Sequence, residues 1–387
     1  MNDNYHIFRE RLAGMLTVGA MIAAFTIANT PLFEFYWLVH HIPVSIQIGE
    51  FGIDKPLIVW INKGLMVFFF LLIGLEIKHA IWEGQLSGPK QLALPALAAM
   101  GGMAVPAIIY IMFNVSDPVA MRGWAIPTAT DIVLALAVLS LFRGRVAETL
   151  MIFLAALAIF DDVGAILIIA LFYSEGLSTS SLLAAAVGII ILICLNRIKV
   201  VQTAPYVLIG IFIWVAVMKS GVHATLVGVI VAFAIPLRAK RNDVVCSPCR
   251  EIESQLRSWV MLGIVPIFAF FNAGISLNSL TLDRLWSPAV LGIVLGLFIG
   301  KQLGVFGTVW LAVQLGLGRL PEGVTWKEMY GISLLAGIGF TMSLFITSLA
   351  FTGNILITET RFAIIIGSLI SAVAGLFVLF NTVKERS

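Results

Sequence analysis

What most constrains this chain is its run of uncharged stretches. Twelve of them carry few or no charged residues, near 12–30, 56–75, 91–113, 124–142, 149–173, 181–196, 204–218, 221–237, 258–276, 286–314, 329–350 and 362–383. A helix that crosses a bilayer needs about 20 apolar residues. Twelve such runs in 387 residues leave only short connections between them. Composition agrees. The chain is 60% hydrophobic and only 12% charged, with a mean hydropathy of +1.03. An ordinary soluble domain carries about 25% charged residues. A soluble enzyme, a disordered regulator and a secreted disulfide scaffold are thereby excluded. Net charge is +3 with no basic-aromatic patch, so nucleic acid is not an expected partner. The expected partner is the lipid bilayer, and the expected class is an all-α polytopic membrane protein.

Lys and Arg placement sets the orientation. With the N-terminus in the cytoplasm, 17 of the 24 Lys and Arg residues fall in cytoplasmic segments and 5 outside, leaving Lys63 and Lys301 inside spans. Both termini are then cytoplasmic. The first run follows Arg9 and Arg11 without a small-residue cleavage site, so it reads as a retained helix. One outside segment, residues 44–54, alternates Val44, Ile46 and Ile48 with other residues and holds Gly49 and Gly52. That is a β-hairpin signal. A lone hairpin is marginal in water and its edge seeks a partner. Pairing with a second copy and folding back on its own chain both answer that need.

Charges inside the membrane are costly and mark function by default. Asp161 and Asp162 lie between Glu148 and Glu175, Lys301 between Arg284 and Arg319, and Asp131 between Arg122 and Arg143, each near the middle of its run. Helix neighbours point about 100° apart, so one lysine cannot closely neutralise both members of the Asp161-Asp162 pair and Asp131 too. Three carboxylates against one ammonium leave excess negative charge, which protons or a cation must balance. Asp131 closes the stretch Trp124-Ala-Ile-Pro-Thr-Ala-Thr-Asp131, in which Pro127 breaks the backbone ladder and Thr128 and Thr130 can back-fill it. The eleventh span contains Ala336-Gly-Ile-Gly-Phe-Thr-Met-Ser343, and Gly337 and Gly339 ease unwinding there. Two broken helices place partly charged helix ends at mid-membrane, which Asp131 and Lys301 can offset. Spans 4 and 11 run in opposite directions. Paired breaks of this kind point to an inverted repeat, helices 3–5 and 10–12, with its site between two crossed unwound helices.

At these residues the chain resembles the NhaA sodium/proton antiporters. The likeness rests on Gly123-Trp-Ala-Ile-Pro-Thr-Ala-Thr-Asp131, Ala158-Ile-Phe-Asp-Asp-Val-Gly164, Lys219-Ser-Gly-Val-His-Ala-Thr225, Phe268-Ala-Phe-Phe-Asn-Ala-Gly274 and Gly337-Ile-Gly-Phe-Thr-Met-Ser343. It covers essentially the whole chain. NhaA is itself a standard example of the inverted repeat, so the repeat assignment is not independent of this likeness. The resemblance implies twelve transmembrane helices, a homodimer joined partly by the hairpins, and the bacterial inner membrane. It implies an interface domain from 1–90 and 181–276 and an ion-transporting core from 91–175 and 286–383. It assigns Na+ and proton binding to Asp161 and Asp162, site support to Asp131, Thr130 and Lys301, and pH response to His223, Glu253 and Glu76. No cofactor and no protein substrate are implied. The chain departs from the family at His79-Ala80, where an Arg-Glu pair is typical, at Lys63, where an acidic residue is typical, and around Glu253. These departures touch the pH response and leave the exchange chemistry intact.

The expected function is electrogenic exchange of Na+, or Li+, for protons by alternating access, with pH-dependent activity. Sodium prefers hard oxygen ligands, which Asp161, Asp162 and Thr130 offer. If two protons exchange for one monovalent cation, each cycle moves net charge, and the membrane potential contributes about 2.3 kcal/mol per charge per 100 mV. The nearest rival is a sodium-coupled symporter of a small organic solute on a related crossed-helix fold. An intramembrane aspartyl protease would need a Gly-x-Gly-Asp motif, which is missing. Cys246-Ser-Pro-Cys249 has no second ligand pair for zinc, which usually takes four ligands.

Overall fold

The fold is taken from a computed structural model, which describes residues 2–48, 51–83, 89–174, 178–241, 244–277, 281–351 and 354–384. The described chain is mostly helical. In order, the elements are α1 (Asn2–Ala28), α2 (Phe33–His40), strands β1 (Pro43–Ile48) and β2 (Phe51–Pro56), α3 (Leu57–Trp82), α4 (Pro89–Asn114), the broken span α5 (Pro118–Phe142), α6 (Glu148–Phe172), α7 (Thr179–Arg197), α8 (Thr203–Ser220) and α9 (Leu226–Ala234). Strands β3 (Ala239–Arg241) and β4 (Val244–Cys246) follow, then α10 (Pro248–Ala273), α11 (Pro288–Gln314), the broken span α12 (Trp326–Ala350) and α13 (Asn354–Lys384). Among the described residues, 11 of these stretches are long and apolar enough to cross a membrane. The apolar run 221–237 forms a shorter helix. Gly221 takes φ +83° and ends α8, residues up to Thr225 form turns, and α9 covers nine residues before Ile235-Pro236 stops it.

The chain divides into two compact units. The first holds Met1–Tyr36, Gly88–Ala165 and Ala269–Ser387; the second holds Trp37–Ser87 and Ile166–Phe268. In the first unit the two broken spans are the interior. Of the most apolar window of α12, 89% of residues are buried, and of α5 72%, against 33% for α4. Helix α11 presses against α4 through glycines: a Cβ on Gly304 would lie 2.2 Å from the Gly101 carbonyl oxygen, and a Cβ on Gly101 2.4 Å from that of Gly304. Nothing larger than hydrogen fits there, so the two backbones touch.

In the second unit α3 packs on α9, with Gly228 against the backbone of Val67 and Phe70. The buried cluster around Leu75, Tyr206, Ile213 and Val227 fills the space between α3, α7, α8 and α9. Lys78 is buried and donates to the Phe233 carbonyl at 2.6 Å and to that of Ile235, closing the end of α9. The hairpin belongs to this unit. Its strands pair antiparallel with Val44 opposite Lys55, Ile46 opposite Ile53 and Ile48 opposite Phe51. Trp60 Nε1 donates to the Val44 carbonyl at 3.0 Å and fixes the hairpin to the start of α3. Gly49, Glu50, Glu175 and Arg386 lie outside the described residues.

Candidate functional site

Span α5 does not form one helix. Residues Arg122–Thr128 make a 3-10 segment, Ala129 and Asp131 are extended, and an α-helix begins only at Ile132. Pro127 has no amide hydrogen to donate. The Thr128 hydroxyl supplies a local substitute, donating to the Ala125 carbonyl at 2.8 Å. Span α12 breaks likewise. Helix Trp326–Leu335 stops at Ala336, and a second helix starts at Phe340. Between them a Cβ on Gly337 would sit 2.4 Å from the Leu297 carbonyl oxygen, and one on Gly339 2.9 Å from that of Ala129.

The two breaks hold one another. Asp131 N–H donates to the Ile338 carbonyl at 2.6 Å, and the Ser343 hydroxyl donates to Ile126 at 2.7 Å. The carboxylate of Asp131 caps both downstream half-helices. Oδ1 accepts from Leu134 N–H at 3.1 Å in α5. Oδ2 accepts from Thr341 N–H at 2.9 Å and from the Thr341 hydroxyl at 2.6 Å in α12. Each helix N-terminus carries about half a positive charge. Asp131 is therefore matched by two helix ends and a hydroxyl, and it places no demand on the lysine.

That leaves Lys301, Thr130, Asp161 and Asp162, all at most 2% exposed. Lys301 sits between two π-helical turns, Gly296–Gly300 and Gln302–Phe306. Its Nζ donates to Asp161 Oδ2 at 2.6 Å and to Thr130 Oγ1 at 3.0 Å. Thr130 Oγ1 lies 2.5 Å from Asp161 Oδ2 and 2.8 Å from the Ala336 carbonyl, at the C-terminal end of the first half-helix of α12. One hydroxyl proton can serve only one of these two acceptors at a time. Asp161 Oδ1 is buried with no hydrogen-bond partner among the described residues. Asp162, next in α6, is buried too. Asp161 thus faces the ammonium and the Thr130 hydroxyl, with the Ala336 carbonyl on the far side of that hydroxyl and a second buried carboxylate next to it in the helix. These are hard oxygen donors that suit an alkali cation. Among the described residues no group of three or more His, Cys, Asp or Glu side chains is arranged to hold a metal ion.

Pro127, Gly337 and Gly339 lie at the two breaks, and Asp131, Thr130, Lys301, Asp161 and Asp162 all fall in the first unit. His223, Glu253 and Glu76 fall in the second. There Arg257 Nη2 lies 2.8 Å from Glu76 Oε1 and 3.1 Å from Glu253 Oε1, while His79 Nδ1 lies 3.0 Å from Glu253 Oε2. His223 is separate from that cluster and is hydrogen-bonded through Nε2 to the Tyr173 carbonyl at 2.5 Å. Ile46 is half exposed and Val44 partly buried.

Sequence reasoning missed Thr341 as the partner of Asp131, and Ser368, whose hydroxyl accepts from Gly339 N–H at 3.2 Å. A threonine two residues after the second glycine of a predicted break, where a new helix must start, was the available signal for the first. No local pattern marks the second. The sequence marks His79 only as a departure and does not single out Arg257, and their pairing with Glu253 and Glu76 needs the fold.

Residues 5–379 match the protein family described as Na+/H+ antiporter 1. The chain belongs to this family. A protein of Saccharophagus degradans named Na(+)/H(+) antiporter NhaA 2 is 50% identical over 98% of this chain and 99% of its own length. The Na(+)/H(+) antiporter NhaA of Psychrobacter arcticus is 50% identical over 97% and 94%. That of a Sulfurovum species is 49% identical over 96% and 95%. As a member of the Na+/H+ antiporter 1 family, the chain carries its acidic pair, its lysine and its two breaks within one unit.

Proposed function

We propose that this chain exports sodium, or lithium, across the bacterial inner membrane in exchange for protons, electrogenically and by alternating access. The observation that carries this reading is the buried Asp161-Asp162 pair, of which Asp161 contacts the Lys301 ammonium, with Asp131 already matched by two helix ends. Family membership and the names of the relatives support it.

The chemistry follows from charge. Removing ions from water costs several kcal/mol each, about, even after the protein relaxes. With both acids ionised, two adjacent buried carboxylates stand beside the single ammonium that contacts Asp161, an arrangement rich in negative charge. A proton or a sodium ion each offsets that charge, and both compete for the same oxygens. Asp161 Oδ1 and Asp162 accept the ion, while Thr130 adds a hydroxyl oxygen when its proton turns to Ala336. Lys301 holds Asp161 when sodium is gone. The empty, unprotonated pocket crosses the membrane reluctantly, and this penalty couples the two fluxes.

In this reading α9 completes a twelve-span architecture with both termini cytoplasmic. Helices 3–5 and 10–12 are inverted repeats, α5 and α12 cross at their breaks, and residues 91–175 and 286–383 carry the ion past an anchoring domain built from 1–90 and 181–276. The hairpin joins two copies into a homodimer. Glu76, Glu253 and His223 set the pH response from outside the ion site, and no cofactor takes part.

The test is sodium-driven proton movement in proteoliposomes. Asp162→Asn is expected to abolish it. Full exchange in that variant would overturn the site assignment, and sodium entry that requires an organic solute would overturn the exchange reading.

A further inference from the structure

Helix α13 meets the break in α12 with two serines. Ser368 and Ser371 stand three residues apart, so they share one face of the helix. Ser368 is engaged there, since its Oγ accepts from Gly339 N–H. Ser371 is fully buried, and its Oγ has no hydrogen-bond partner among the described residues. In the first unit it is the only such hydroxyl among the described residues. A buried hydroxyl left unmatched is a cost to the conformation that holds it. A serine or threonine inside a helix ordinarily avoids that cost by turning back to the carbonyl four residues earlier. On this same helix Thr360 does so to Leu356 at 2.7 Å, and Thr382 to Val378 at 2.8 Å. Ser371 points at α12 instead.

What it points at is the bare side of Gly337. A Cβ on that glycine would stand 2.5 Å from Ser371 Oγ and 2.4 Å from the Leu297 carbonyl oxygen. Both oxygens therefore face one small space, which glycine alone leaves open. One is a donor without an acceptor, and the other is a carbonyl oxygen, which has two lone pairs to offer. Leu297 belongs to the π-helical turn Gly296–Gly300, which ends directly before Lys301. We infer that Ser371 is a positioning residue for exchange: when the α12 break shifts in the transport cycle, its hydroxyl donates to the Leu297 carbonyl. This inference rests on the alternating-access reading above. The bond ties α13 to the turn that presents the ion-site lysine, so that turn follows the break. A group can bias a conformational equilibrium only by interacting differently with the two states. Ser371 does so, as a cost in the present conformation and a gain in the other, and it thereby narrows the gap between them.

The test is Ser371→Ala in the full chain, with Ser368→Ala as its opposite. Removing the unmatched hydroxyl is expected to raise the unfolding midpoint in detergent by about 2–6 °C, whereas Ser368→Ala strands the Gly339 amide and is expected to lower it by a similar amount. In proteoliposomes Ser371→Ala is expected to cut the maximal rate of sodium-driven proton movement about five- to tenfold, and to leave the half-saturating sodium concentration within about twofold of wild type. A midpoint that Ser371→Ala lowers or leaves unchanged would mean that the hydroxyl is already bonded in this conformation, and would overturn the inference. A raised midpoint with a wild-type maximal rate would mean that the other conformation makes no use of it, and would overturn the inference alone. A wild-type chain without sodium-driven proton movement would overturn the exchange reading, and this inference with it.

Discussion

Replacing Lys301 by methionine removes one member of a pair in which both side chains are buried from solvent. Asp161 would keep the Thr130 hydroxyl at 2.5 Å but lose the 2.6 Å contact with the ammonium. Removing one partner of a buried ion pair costs about 3–5 kcal/mol, whereas replacing both with uncharged groups of similar volume is close to neutral. Lys301→Met alone is therefore expected to be strongly destabilised at pH 8. Adding Asp161→Asn should restore most of the loss, leaving the double variant within about 1 kcal/mol of wild type. At roughly 2 °C per kcal/mol, the single substitution lowers the unfolding midpoint by about 6–10 °C. Thermal unfolding in detergent, followed by intrinsic tryptophan fluorescence, reads all four corners of the cycle. A single variant as stable as wild type would refute the reasoning. So would a double variant no better than Lys301→Met, since the loss would then come from packing and not from a stranded charge.

Thr341→Val deletes a charge-assisted hydrogen bond to Asp131 while keeping shape, and should cost about 1.5–3 kcal/mol in the same assay; Thr341→Ser should cost well under half of that. Gly304→Leu forces side-chain atoms into the Gly101 backbone. It should destabilise by about 1–3 kcal/mol or more and slow exchange in proteoliposomes by displacing Lys301. Deleting residues 45–54 is expected to turn the proposed homodimer into a monomer in light scattering while leaving sodium-driven proton exchange measurable.

Much of this architecture is legible in residues whose physics is local. Long apolar runs announce membrane helices because the bilayer leaves few alternatives. Pro127 and the Gly337, Gly339 pair mark places where helix is expensive or weak, and the backbone is non-helical just after the first and between the second. Burial is legible as well, since Asp131, Asp161 and Lys301 each sit near the middle of an uncharged run and each is at most 1% exposed. Register between helices is not. Nothing in the stretch around Asp131 says that its carboxylate reaches Thr341, 210 positions away, or that Lys301 stands between two π-turns. The run 221–237 shows the opposite failure. It is apolar enough for a full span, but the left-handed Gly221 and the turns after it shorten the helix to Leu226–Ala234. The Glu76, His79, Glu253 and Arg257 cluster joins α3 to α10 across 174 residues, a pairing that composition and spacing cannot convey.

The central claim is that one charge vacancy among Asp161, Asp162 and Lys301 accepts either a proton or a sodium ion. It is tested most directly by counting protons released when sodium is added to the purified chain in weakly buffered detergent at alkaline pH. Sodium or lithium should release protons in a saturable way, potassium should release few, and Asp161→Asn with Asp162→Asn should release none. Saturable sodium binding with no proton release from the wild-type chain would contradict the claim.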